Sequence, residues 1–184
     1  VGRLGPIFGR ALAPVLAAYP GLRCVVPTTA HVAPLLREVT ADWPIPPIIL
    51  DPREMKIDAY KAEKAAAFRT SDGALAASGT VSLELAAAET PMVIAYDVNW
   101  ISRQIIAYML RIDTLTLVNL ISETRDIPEC NGNHCTPPEI SAALLNMLAA
   151  PDRQLAAMRL TMERLGKGGE APGLRASKAV LARI

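Results

Sequence analysis

Short apolar runs recur along this chain between segments of helical period, and that alternation restricts the fold more than any other feature. Leu22-Arg23-Cys24-Val25-Val26, Ile48-Ile49-Leu50, Ala74-Leu75-Ala76-Ala77 and Met92-Val93-Ile94-Ala95 read as strands. Ile7 to Tyr19 reads as a helix with Pro14 inside it, closed by Pro20-Gly21; Ala30 to Asp42, Glu54 to Phe68 and Val81 to Ala88 read as three more. Strands that are apolar throughout, each separated from the next by a helix, predict an α/β, Rossmann-like parallel sheet with helices on both faces. Beyond Tyr96 the pattern turns helical, over Trp100 to Arg111, Pro138 to Leu148, Asp152 to Leu165 and Leu174 to Ala182. Residues 1–165 are therefore expected to form one domain. Residues 166–184 are expected to form a glycine linker and a terminal helix that packs on another domain.

Composition narrows the function classes. The chain has 184 residues, 51% of them hydrophobic, which suits one domain with a sizeable core and excludes disorder. Nineteen Lys and Arg against 18 Asp and Glu leave a net charge of +1, so no global field attracts nucleic acid, and 4% aromatics provide few stacking platforms. No apolar run reaches the ~18–20 residues of a membrane span, and the start does not read as a signal peptide. Val1 is not an initiator Met, and the first helix is entered without a capping residue, so the chain is expected to begin within a longer protein.

The chemistry centres on Ala77-Ser78-Gly79-Thr80-Val81-Ser82-Leu83-Glu84. A buried strand that breaks at three tiny residues and continues as a helix offers uncapped backbone N–H groups to an anion such as a diphosphate. In an open parallel sheet ligands bind at the carboxyl ends of the strands, where this turn lies. Glu84, one turn into an otherwise apolar helix, is placed to accept hydrogen bonds from sugar hydroxyls or to stabilise the helix dipole. Asn119 is a lone amide in the apolar run Leu115 to Ile121, either a satisfied turn residue or a ligand contact in the same cleft.

Other candidates are weaker. Cys24, Cys130 and Cys135 are an odd count without a disulfide framework, and Cys130, His134 and Cys135 lack the second ligand pair of a zinc site. No metal or cofactor is expected, and neither His31 nor His134 has the neighbours of a general base. Trp100 to Arg111 carries Ile101, Ile105, Tyr108 and Met109 along one side with Arg103 and Arg111 reaching outward. That pattern suits a core helix or docking at a lipid interface.

Ala77 to Glu84, then Pro91-Met92-Val93-Ile94-Ala95-Tyr96, Val118-Asn119-Leu120-Ile121 and Pro128-Glu129, in that order, resemble the lipid-A-disaccharide synthase family of GT-B type glycosyltransferases. The tail from Met162 to Gly173 resembles the end of the same enzymes. The resemblance runs over essentially the whole chain, although the Ser-Gly-Thr-x-x-x-Glu element alone is shared more widely among GT-B enzymes.

The resemblance implies the C-terminal, donor-binding half of a two-domain enzyme that moves 2,3-diacylglucosamine from UDP onto 2,3-diacylglucosamine 1-phosphate, releasing UDP. It implies diphosphate contacts at Ser78, Gly79 and Thr80, a ribose contact at Glu84, and Tyr96, Asn119 and Glu129 near the donor. The lipid acceptor and the catalytic Asp would belong to the N-terminal half, so this chain alone is expected to be inactive. Its expected place is the cytoplasmic face of the bacterial inner membrane, and an orphaned cleft face with a terminal helix suits exchange between copies in a homo-oligomer. Two other readings are a non-catalytic nucleotide-binding remnant and a UDP-sugar epimerase of the same architecture. The sequence departs from the family at Asp97, where many members carry Lys or Arg, and at Ser122 to Asp126, in place of an Ala-Gly-Arg-Glu type segment.

Overall fold

The computed structural model describes residues 1–97, 113–170 and 172–182. The helix expected over Trp100 to Arg111 lies outside the described residues. In chain order the elements are α1 (Leu4–Ala18), β1 (Val25–Pro27), α2 (Ala33–Thr40), β2 (Ile48–Leu50), α3 (Ile57–Thr70), β3 (Ala74–Ala76), α4 (Val81–Ala88) and β4 (Met92–Tyr96). There follow α5 (Leu117–Ser122), β5 (Glu129–Asn131), a 3-10 turn (Gly132–His134), α6 (Pro137–Ala149), α7 (Asp152–Arg164) and α8 (Pro172–Leu181). Among the described residues all strand pairs are parallel, in two ladders: β1 with β2, and β3-β4-β5. The expected Rossmann-like α/β class is what is found.

β4 organises the interior. Its first four residues are buried, and because successive side chains of a strand point to opposite faces, they serve two separate cores. Val93 and Ala95 join Ala11 and Val15 of α1 and Ile140, Leu144 and Met147 of α6. Met92 and Ile94 join Leu85 and Ala86 of α4, Val118 of α5 and Met158 of α7. The helices thus divide between the two faces, as a doubly wound sheet requires.

Close approach fixes α1 against α2. Gly5 and Gly9 are buried one turn apart on α1, and a Cβ on Gly9 would lie 2.4 Å from Trp43 Cδ1. Only hydrogen fits there, and Trp43 Nε1 uses the proximity to donate to the Gly5 carbonyl at 3.0 Å. α1 starts at Leu4, earlier than the apolar period indicates.

Other segments also differ from expectation. β1 covers Val25–Pro27 rather than Leu22 to Val26, since the ladder with β2 opens only at Val25 opposite Ile48. Cys24, just ahead of the strand, is half-buried. The run from Leu115 contains a short helix, Leu117–Ser122, and β5 forms at Glu129-Cys130-Asn131, a segment with no apolar run at all.

Candidate functional site

The carboxyl ends of β3, β4 and β5 converge on one rim. β3 ends at Ala76, and the chain turns through Ala77 to Thr80 before α4 begins. Gly79 has φ +149°, a conformation L residues rarely adopt, and nothing lies within 4 Å of where its Cβ would be. Gly79 and Thr80 are exposed and Ser78 is half-buried. Thr80 makes no capping hydrogen bond through its side chain. The N–H groups of Ser82, Leu83 and Glu84 bond back to the carbonyls of Gly79 and Thr80, at 3.3, 3.0 and 3.4 Å. Among the described residues that leaves the N–H groups of Gly79, Thr80 and Val81 without a partner, at the positive end of the α4 dipole.

Glu84 is exposed on α4 and turned towards α3. Its carboxylate pairs with Lys64 Nζ at 2.5 Å, and that ammonium lies 5.4 Å from the centroid of the Phe68 ring. Lys64 is a neighbour the sequence did not reveal: on α3 it reads as one more solvated charge, and only the α3–α4 packing brings it to Glu84.

Asn119 and Glu129 are joined to each other. The Asn119 side chain is buried; its Nδ2 donates to Ile127 O at 2.9 Å and Glu129 Oε1 at 3.1 Å, while its Oδ1 accepts from Ile127 N at 3.0 Å. Glu129 also accepts from Leu115 N at 3.1 Å, Thr116 N at 3.2 Å, Asn131 Nδ2 at 2.8 Å and the Thr114 hydroxyl. Burial pushes this carboxyl up, but the hydrogen bonds from Thr114, Leu115, Asn131 and Thr116 outweigh it and hold it below the ordinary glutamate value. The pair therefore shapes the turn over Thr114 to Thr116, and that turn reaches the β3 rim where Ser78 Oγ donates to Leu115 O at 3.5 Å. Tyr96, half-buried at the end of β4, stands opposite Asn131 in the ladder.

The structure thus brings Ser78, Asn119 and Glu129 together through one turn, sets Gly79 and Thr80 open beside it, and places Glu84 on the neighbouring helix face. Thr114, Thr116 and Asn131 belong to the same cluster, and isolated Thr and Asn residues carry no sequence signal for it. Thr116 Oγ1 and Asn131 Oδ1 are buried with no hydrogen-bond partner among the described residues.

The two departures from the family pattern are locally engaged. Asp97 pairs with Arg3 at the start of α1. In the other segment Arg125 Nε donates to Asp113 at 2.9 Å, and Asp126 pairs with Arg153 at 2.8 Å. The three cysteines are free thiols, Cys130 and Cys135 being buried, and burial pushes Cys24 and Cys130 up to about 11. Among the described residues no group of His, Cys, Asp and Glu is arranged to hold a metal ion, and no helix is long and apolar enough to cross a membrane.

A parallel sheet wrapped on both faces, with an open glycine turn between strand and helix at its carboxyl rim, defines a Rossmann-like domain. Within that class, residues 31–182 match the family model described as lipid-A-disaccharide synthetase, and the chain belongs to that family. It is 56% identical over 184 residues to a lipid-A-disaccharide synthase of Ruegeria pomeroyi, a match covering all of this chain and 46% of the relative. Enzymes of the same name from Rhodospirillum centenum and Paramagnetospirillum magneticum are 38% and 37% identical, over 98% and 95% of this chain and 44% of each relative. The chain spans less than half the length of these relatives.

Proposed function

We propose that this chain is the C-terminal, donor-binding half of a GT-B glycosyltransferase of lipid A biosynthesis. The whole enzyme would transfer 2,3-diacylglucosamine from its UDP derivative to 2,3-diacylglucosamine 1-phosphate, giving the lipid A disaccharide 1-phosphate and UDP. The observation that carries the reading is the open turn at Gly79 to Val81, whose unpaired N–H groups point to an anion in a chain of this family. There they would bind the diphosphate, with Ser78 and Thr80 beside it, and stabilise charge as UDP departs. Glu84 would exchange Lys64 for the ribose hydroxyls. Asn119 and Glu129 would act on the donor by fixing the Thr114 to Thr116 turn, and Tyr96 would close the rim at β4.

The acceptor and the catalytic base would come from the other half of the enzyme, so these residues alone would bind donor without turning it over. Lipid substrates would place the enzyme at the cytoplasmic surface of the inner membrane. The exposed Leu174, Val180 and Leu181 of α8 would pack on the other half or on a second copy.

Isothermal titration of UDP into the full-length enzyme carrying this chain tests the reading. Saturable binding is expected, weakened about tenfold or more by Glu84→Ala, as loss of hydrogen bonds to a charged group implies. Absence of UDP binding, or an affinity untouched by that substitution, would overturn it.

A further inference from the structure

We propose that Lys64 is an ionic latch on the donor site: in the empty protein its ammonium occupies the Glu84 carboxylate, and a nucleotide must displace it before its ribose can be held. The inference rests on the donor-half reading above, which gives Glu84 its ribose; the latch itself rests on the packing of α3 against α4. Lys64 thus lowers nucleotide affinity, the reverse of what a cation beside a diphosphate site ordinarily does.

The place of Lys64 is fixed from both sides along α3. Tyr60, Lys64 and Phe68 follow one another at intervals of four residues and are half-buried, so they share one face of that helix. Tyr60 Oη donates to Thr28 O at 2.7 Å, and the Phe68 carbonyl accepts from the Thr90 hydroxyl at 2.5 Å. The Phe68 ring packs against the core that holds Leu85 and Ala86 of α4. Lys64 lies between these two anchors, on a helix that cannot drift from α4. Pairing with Glu84 therefore costs less ordering than an exposed ion pair between two loose elements.

The pair is formed yet open to exchange. Lys64 Nζ lies 2.5 Å from Glu84 Oε2, while 29% of the Lys64 side chain and 48% of the Glu84 side chain remain exposed. A ligand hydroxyl can therefore reach the carboxylate from solvent. The ammonium also stands 5.4 Å from the centroid of the Phe68 ring, within range of its negative face. When the carboxylate turns to another donor, the ammonium keeps the ring and water as partners, and the exchange leaves no buried unpaired charge.

The size of the effect follows from the exposure of the pair. The latched form cannot offer Glu84 to a ribose, so apparent affinity falls by the fraction of molecules in which the latch is open. An ion pair this exposed favours the closed form by a factor of about one to four, which costs a ribose-bearing ligand about two- to fivefold. The cost falls alike on a UDP-sugar and on UDP after transfer, because both carry the ribose. Lys64 returning to Glu84 helps to clear spent nucleotide, and product release is the slow step of many enzymes.

Isothermal titration of the full-length enzyme carrying this chain tests the latch, with UDP and with 2′,3′-dideoxyuridine 5′-diphosphate, which lacks the ribose hydroxyls. The readout is the ratio of the two affinities, in which any general effect of one charge on the diphosphate cancels. Lys64→Met removes the ammonium and keeps a long apolar stem; the ratio is expected to rise about two- to fivefold in favour of UDP. Lys64→Gln is expected to do the same, which makes the result independent of how the Met packs. In a Glu84→Ala background neither substitution should move the ratio. A ratio that stays constant or falls in both Lys64 variants, or that rises equally without Glu84, overturns the latch. If UDP binds and Glu84→Ala weakens it while the ratio ignores Lys64, the latch fails and the donor reading stands. If UDP does not bind, both fail together.

Discussion

The amide of Asn119 and the carboxylate of Glu129 meet at 3.1 Å, and together they hold a turn that neither of them belongs to. Glu129 receives the Leu115 and Thr116 N–H groups and the Thr114 hydroxyl, while Asn119 closes the loop between α5 and β5 through both polar atoms of Ile127. A stable turn over Thr114 to Thr116 is the outcome, and Ser78 at the rim of β3 is bonded to it.

Glu129→Gln replaces an acceptor by a group that presents donors to donors. We expect a loss of about 1–3 kcal/mol in urea unfolding, the cost of leaving buried polar groups unpaired. Because the native carboxyl lies below its ordinary value, its contribution is complete above about pH 4.3 and fades as pH falls through the lower, folded-state value. The difference between native protein and variant should shrink over that acidic range and stay constant above it.

Asn119→Asp keeps the shape and sets a second carboxylate beside Glu129. The two cannot both ionise cheaply, so one of them retains a proton to higher pH than an isolated acid. Thermal unfolding followed against pH should show the variant most destabilised at neutral pH and recovering towards pH 4 to 5. A deficit independent of pH would contradict the contact.

Asp51, wholly buried after β2, accepts Arg53 Nη2 at 2.7 Å, the Arg53 N–H at 3.0 Å and Arg37 Nη2 at 3.3 Å. Arg53, through side chain and backbone, holds the carboxyl well below the usual carboxylate range, with Arg37 adding to it. Its stabilisation is therefore full above about pH 4 and lost only as pH falls through the folded-state value. Asp51→Asn should lower the melting temperature by a constant amount from neutral pH down to about pH 4, the gap narrowing below that.

Gly9→Ala pushes a methyl group into the Trp43 ring. Overpacking at such a contact costs about 1–3 kcal/mol, read by denaturant unfolding. Combined with Trp43→Leu, which frees the space, the cost should be less than additive.

The apolar strands β2, β3 and β4 and the helices between them were legible because burial on both faces writes itself as continuous hydrophobic runs. β5 was not: its pairing with Ile94 to Tyr96 is a tertiary event, and Glu129 and Asn131 are polar because they serve the rim rather than the core. The same distinction governs the site. Ser78-Gly79-Thr80 was visible as turn chemistry, and Glu84 as an acid in apolar company. The inward commitment of Asn119, and the ion pair from Lys64 to Glu84, depend on which helix faces which, information that no local spacing holds.

β4 lends neighbouring side chains to opposite cores, Val93 and Ala95 to one and Met92 and Ile94 to the other. Neither core can dissolve while the other persists, because each would lose the strand that forms its floor. The β3-β4-β5 half of the molecule should thus melt as one cooperative unit, with damage on either side of the sheet registering as a single transition.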